Sequence, residues 1–325
     1  MTSQPGSQPR LNETFLDHIG HWLPDISAGA NALRDLGFTV TPFSKQRQLD
    51  PETGAEVPAG AGNHCVMLRD GYLEFLTPLA DTPIGRELRA GIARYVGVHI
   101  AAFAHPDATA TSARLAAAGF PQRPVVNLQR AIGQADGTTP TARFSVARSQ
   151  VGVIAEGRVQ FLTHHTPQYL WQDRYVHHAN TALGLAGLVF AVADVHADGT
   201  RYERILDRPI DRSTCSTGEL PGADGDSYCV FTLESGALAL AEDSNASALF
   251  ATNALPPSPA MLGYHLTCAS VQTFADYAHA AGAAVRAVED ILQVTLPAAL
   301  GGVVLVTPES TSLAQAMSKL AQARN

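Results

Sequence analysis

Apolar and polar positions alternate with a period of two in one stretch and follow helical spacing in the next, and this order recurs along the chain. Leu16-Asp17-His18-Ile19-Gly20-His21-Trp22-Leu23 reads as a strand that runs into Pro24-Asp25. The apolar spacing then turns helical from Ile26 to Leu36, with Asp25 at the expected N-terminus and Gly37 suited to the left-handed stop. A short strand Phe38 to Phe43, a polar Pro/Gly-containing loop from Lys45 to Gly62, a strand Asn63 to Leu68, a turn at Asp70-Gly71 and a strand Tyr72 to Leu76 complete a βαβββ unit.

The unit returns three times. A second copy begins at Gly97-Val98-His99-Ile100-Ala101-Ala102-Phe103, passes through a helix Ala108 to Ala118, and closes in Gly119-Phe120. Its strands are expected near Val125 to Ala131, Thr141 to Ala147 and Arg158 to Leu162, so Glu156-Gly157-Arg158-Val159-Gln160-Phe161-Leu162-Thr163 echoes Asp70-Gly71-Tyr72-Leu73-Glu74-Phe75-Leu76-Thr77 without a gap. A third copy starts at Gly187 to Asp194, with a helix to Leu206 and strands Tyr228 to Leu233 and Ala237 to Ala241. The fourth, from Gly263-Tyr264-His265, a helix to Ala281 and a strand Gly302 to Val306, is the faintest. Repetition on this scale sets the fold more firmly than local propensity.

Leu16-Asp17-His18, Gly62-Asn63-His64-Cys65 and Gly71-Tyr72-Leu73-Glu74 resemble the vicinal oxygen chelate superfamily, in its glyoxalase-like-domain branch. The resemblance implies an α+β fold in which four βαβββ modules pair into two domains of the glyoxalase/bleomycin-resistance/extradiol-dioxygenase type. It also implies a cupped sheet holding a metal, with ligands from the first and last strand of each unit. Carried over, these positions are His18 and Glu74 in the first unit and His99 and Gln160 in the second. Alternation puts His18 on one face with Gly20 and Trp22, and Glu74 with Tyr72 and Leu76, while His21 faces the other way. An acid between Leu73 and Phe75 needs a partner, since an unpaired buried charge is costly. The C-terminal pair offers Gly187 for His18 and Ala239 for Glu74, and His265 alone does not hold a metal.

Composition bounds the rest. With 325 residues, 46% hydrophobic and 16% charged, the chain has ample material for two cores of about 150 residues each. The expected organisation is a leader over residues 1–14, a metal-bearing domain over 15–175 and a degenerate domain over 180–325. Met1 to Asn12 is Gln/Ser/Pro-rich and reads as disordered, without the features of a secretory signal. A net charge of -8 without a Lys/Arg cluster argues against nucleic acid, and no apolar run reaches the roughly 18 residues of a membrane span. Cys65, Cys215, Cys229 and Cys268 form no CxxC pair and read as reduced thiols of a cytoplasmic protein. The C-terminal stretch Ser312 to Ala323 reads as an amphipathic helix that docks on its own domain or on a partner, so a homodimer is among the expected assemblies.

The resemblance implies a divalent ion (Mn, Fe, Ni, Co or Zn) that chelates neighbouring oxygens of a small substrate and stabilises an enolate or enediolate in isomerase, epimerase or lyase chemistry. Glu74, His64 and His165 are the candidates for proton transfer; His164 and His165 lie on opposite faces if the strand persists past Gln160, so one of the two could approach the cup. Two histidines and a carboxylate also suit Fe(II) in a ring-cleaving dioxygenase, and a binding or resistance protein without turnover is a third reading. The Lys45 to Gly62 segment is long enough to lie over the mouth of the cup, as a lid or as an extended hairpin.

Overall fold

The computed structural model describes residues 5–49, 54–210, 228–242, 246, 249–250 and 255–323. Each module starts from the same local device. A side chain at the end of the first strand caps the following helix: Asp25 accepts from the amides of Ser27 and Ala28, Asp107 from Thr109 and Ala110, Asp194 from His196 and Ala197, and Ser270 from Thr273. Gly37, Gly119 and Gly282 then leave three of these helices with φ of 81°, 86° and 71°.

The first module comprises β1 (Phe15–Trp22), α1 (Ile26–Asp35), β2 (Ser44–Leu49), β3 (Glu56–Met67) and β4 (Tyr72–Pro78). α2 (Pro83–Arg94) connects it to the second: β5 (Gly97–Ala104), α3 (Ala108–Ala117), β6 (Val126–Ala131), β7 (Thr141–Arg148) and β8 (Arg158–His164). Together they form one eight-stranded sheet in the order β2-β3-β4-β1-β5-β8-β7-β6. The order is a mirror about the β1–β5 seam, where the modules meet antiparallel. The edge strands β2 and β6 come back toward each other, so the sheet is nearly closed.

The C-terminal half repeats the plan. β9 (Ala182–Val192), α4 (Val195–Leu206), β10 (Tyr228–Thr232) and β11 (Ala237–Glu242) pair through β9 with β12 (Ala260–Cys268), followed by β13 (Ala284–Val288), β14 (Ile291–Thr295) and β15 (Val303–Pro308). The sheet order is β10-β11-β9-β12-β15-β14-β13. The α+β fold of paired modules is therefore as expected, but the faint fourth copy carries a complete strand set. Among the described residues it is the third that shows only two strands after its helix.

Two other expectations change. The stretch Phe38 to Phe43 is not a strand; β2 begins at Ser44, and the polar segment from Lys45 to Gly62 continues β2 and β3 as a hairpin. Cys229 is disulfide-bonded, while Cys65 and Cys268 are free, so the reading of four reduced thiols fails; Cys215 lies outside the described residues. Among the described residues no helix is long and apolar enough to cross a membrane.

The convex sides of the two sheets share one core. Leu16, Ile19, Phe75 and Phe103 pack in the same cluster as Phe190, Tyr264 and Val304. Backbone bonds from Arg69 to Leu183 and from Leu185 to Asp70 stitch the sheets together, and His21 Nδ1 donates to the Leu300 carbonyl at 3.0 Å. The concave sides are left to do different things.

Candidate active site

Strand alternation populates the concave face of the N-terminal sheet. His18 on β1, Cys65 on β3, Tyr72, Glu74 and Leu76 on β4, Ile100 on β5, and Arg158, Gln160 and Leu162 on β8 all line one cavity of about 420 Å³. Two bulges at the β1–β5 seam modify this alternation. Leu16 pairs with Phe103 but His18 with Ala102, so Asp17 is an extra residue on β1; Gly20 pairs with Ile100 but His21 with Val98, so His99 is an extra residue on β5. A bulge re-aims the side chain it inserts.

The two bulges occupy equivalent places in the two modules. On the first, Glu74 sits opposite Gly20, two residues after His18; on the second, Gln160 sits opposite Ala102, two residues after Ile100. The counterpart of His18 is thus Ile100, and the counterpart of Asp17 is His99. Gly20 is required at the seam because a Cβ there would come within 2.8 Å of the Ile100 side chain.

The polar centre is built around Asp17 and His18. The Asp17 carboxylate is buried and accepts from His18 Nδ1 at 2.6 Å and from His164 Nε2 at 2.9 Å. Burial alone would raise this carboxyl; the charges of His164 and His18 and their hydrogen bonds hold it well below the usual carboxylate range. Because the carboxylate can only accept, His18 Nδ1 carries the proton of that bond, and Nε2 is turned toward the cavity. Gln160 Nε2 lies 3.3 Å from it and Glu74 Oε2 4.0 Å. Tyr72 stacks on the imidazole at 4.4 Å and fixes its plane. The other oxygen of Glu74 accepts from Asn63 Nδ2 at 2.5 Å and Gln46 Nε2 at 3.2 Å, which compensates a half-buried acid without a cationic partner.

Of the residues expected at the site, His18, Glu74 and Gln160 converge, and His99, His64 and His165 do not. His99 is turned by its bulge into a stack between Trp22 and Tyr95, at 4.6 and 4.0 Å, and Nε2 donates to the Tyr95 carbonyl at 2.9 Å. Burial there lowers it to about 4, so it is held neutral. His64 shares the core side of β3 with Val66; its Nδ1 bonds the Thr41 carbonyl at 2.7 Å and its ring meets Phe43. His165 lies just past β8, exposed, against the Ser145 hydroxyl at 2.8 Å.

Sequence reasoning passed over Asp17, and of His164 and His165, either of which could approach the cup, it chose His165 where the structure turns His164 inward. His164 was reachable by counting in twos from Gln160, and Asp17 by adjacency to His18. The cavity also has a basic wall: Arg130 from β6, Arg148 from β7 and Arg158 from β8, with Lys45 and Arg47 on the hairpin. Cys65 and Tyr72 are both raised, chiefly by burial and then by neighbouring carboxylates, Cys65 to about 12, so neither supplies an anion near neutrality.

His18 Nε2 thus has a Glu74 oxygen at 4.0 Å and the Gln160 amide nitrogen at 3.3 Å. The imidazole nitrogen and carboxylate oxygen lie within the span of two ligands on one ion with bonds of about 2.0–2.2 Å. Asp17 fixes the His18 ring from behind. The four-ligand set is not assembled, since Ile100 stands at the fourth place. Among the described residues no three His, Cys, Asp or Glu side chains group as ligands, so the amide is essential to any such set.

The model of a glyoxalase-like domain matches residues 16–206, more than half of the chain. The chain belongs to the glyoxalase-like domain family. Among curated proteins none matches it. Solved structures with the same fold include a hypothetical protein from Staphylococcus aureus, 9% identical over 91% of this chain and 99% of that one with a TM-score of 0.58. A mutant 4-hydroxymandelate synthase from Streptomyces coelicolor is 13% identical over 96% and 99%, with a TM-score of 0.55. The 2,3-dioxygenase LapB from Pseudomonas sp. KL28 is 11% identical over 93% and 94%, with a TM-score of 0.51. At these identities the likeness shows the vicinal oxygen chelate fold, which this glyoxalase-like chain shares.

Proposed function

We propose that the N-terminal cup is the active site of a metal-dependent glyoxalase-like enzyme that takes a small substrate with neighbouring oxygens and performs isomerase, epimerase or lyase chemistry on it. The observation that carries this is the convergence of His18 Nε2, Glu74 and Gln160 on one cavity, with His18 oriented by Asp17. His18, Glu74 and Gln160 would hold the divalent ion; a half-turn of the Gln160 amide presents its oxygen instead of its nitrogen. When bound, the ion would act as a Lewis acid toward a substrate oxygen.

The chain's own residues do the rest. Asp17 keeps the proton on His18 Nδ1, and His164 shares that carboxylate so that neither imidazole turns. With His64 and His165 facing elsewhere, Glu74 is the group in the cup able to accept a proton beside a carbonyl, and Asn63 and Gln46 steady its other oxygen. The hairpin residues Gln46, Arg47 and Glu56 lie over the cavity and limit the access of water. The single imidazole supports this chemistry over an Fe(II) dioxygenase, which needs a second histidine that His99 does not supply.

Metal analysis of protein purified without chelator tests the reading. The wild type and His99→Ala should retain about one equivalent, and His18→Ala and Glu74→Ala should retain none. Loss in His99→Ala equal to that in His18→Ala would overturn the placement. A wild type that neither retains nor gains metal would leave a small-molecule binder.

A further inference from the structure

The basic wall of the cup is not balanced. Glu87 of α2 takes Arg158 at 2.7 Å and Arg123 at 3.0 Å, and Glu56 takes Arg47 at 2.9 Å. Arg130 and Arg148 have no such partner: among the described residues neither guanidinium makes a hydrogen bond or ion pair, and the Nε of each is buried without one. Glu74 does not serve them, since one oxygen accepts from Asn63 and Gln46 and the other faces His18. Burial first, and then the like charges of Arg158 and Arg123, bring Arg148 down to about 10. A half-buried guanidinium without a counter-charge is costly unless a ligand supplies one.

Register places this charge beside the polar centre. Arg148 on β7 pairs directly with Gln160 on β8, so the two side chains leave neighbouring points on the same face. Between them and the hairpin the cavity is walled by apolar groups, Leu128, Phe144, Val146 and Leu162 among them. We infer that the substrate is a small organic acid with an apolar body, its carboxylate held by Arg148 while its neighbouring oxygens face His18, Glu74 and Gln160; Arg130, opposite Ala142 on β7, lies toward the other end of the cavity. This rests on the reading of the cup as the substrate site. The guanidinium fork matches a carboxylate in two parallel hydrogen bonds, which a lysine cannot reproduce.

The test is calorimetric titration of the full chain, with Mn²⁺ present, using 4-methyl-2-oxopentanoate, its methyl ester and inorganic phosphate as probes. The acid should bind at least tenfold more tightly than the ester and more tightly than phosphate. Arg148→Gln should lose at least tenfold toward the acid and nothing toward the ester. Arg148→Lys should recover part of the loss, and Arg143→Gln, exposed on the other face of β7, should change neither. No binding of the acid, equal binding of acid and ester, tighter binding of phosphate, or an unaffected Arg148→Gln would each overturn the inference. Metal content measured on the same samples separates the two readings. A His18→Ala protein that keeps its metal, beside an Arg148→Gln protein that loses the acid, sinks the metal site and leaves the clamp; the reverse pattern sinks the clamp alone.

Discussion

The two sheets share one strand plan, yet in the C-terminal sheet the concave face is packed solid while in the N-terminal sheet it stays open. The helix Leu313–Gln322 lays Leu313, Met317 and Leu320 against Val189, Ala191, Ala239 and Leu305. Gly187, at the place of His18, is needed there: a Cβ would come within 2.7 Å of Leu313. In the N-terminal sheet α2 closes one end with Leu88, and the rest of the face carries His18, Glu74, Gln160 and the arginines around the cavity. One copy spends its concave face on apolar burial, each side chain contributing about 1.5–3 kcal/mol. The other keeps desolvated polar groups that stability alone would not select.

The sharpest way to break this contrast is to place an acid in each cup. Met317→Asp should cost about 4 kcal/mol or more in urea unfolding, since it buries an unpaired charge, while Leu128→Asp on the open wall, near Arg130, should cost under about 1.5 kcal/mol. Equal costs would mean that the N-terminal cup is as closed as the other.

Acid titration probes both halves next. His21, His99 and His265 are each lowered from 6.5 to about 4, mainly by burial. The unfolded chain therefore binds protons on them first, and the stability present above pH 6.5 is lost as pH falls toward 4, by on the order of 2–3 kcal/mol for each. Asp17, held low instead, keeps its contribution until pH falls below about 4. Urea midpoints at pH 7, 5.5 and 4.5 should show the decline, and His99→Phe and His265→Phe should each flatten it; a flat profile in the wild type would refute the neutral burial of all three.

Asp17→Asn should weaken metal retention by about 10–100-fold while His18 and Glu74 stay in place, because the imidazole loses the support that fixes its tautomer. Retention unchanged within twofold would show that Asp17 serves only the fold. The smallest expected change is a gain. Ile100→His puts an imidazole at the counterpart of His18 and should tighten metal binding by about tenfold, or 1.4 kcal/mol, in a competition titration with a fluorescent chelator. Gly187→His in the C-terminal cup should create no site, because Leu313 occupies the space.

These comparisons separate what is local from what is not. The repeated strand-cap-helix-glycine order follows from spacing and caps and was legible in the chain itself, while the α+β class and the grouping of His18, Glu74 and Gln160 were legible through the family resemblance, with period-two alternation fixing only which neighbours share a face within each strand. His64, His99 and His165 looked equally eligible, since adjacency and strand membership say nothing of where a strand begins to slip or end. Only the pairing of β1 with β5 inserts Asp17 and His99 as bulges, and one inserted residue reverses every side-chain direction around it. That slip turned His99 into an aromatic stack and brought Asp17 between His18 and His164. The tertiary structure alone likewise set Arg148 beside Gln160 and laid the last helix into the second cup. These are contacts between segments far apart in the chain, fixed by sheet register and packing rather than by any local pattern.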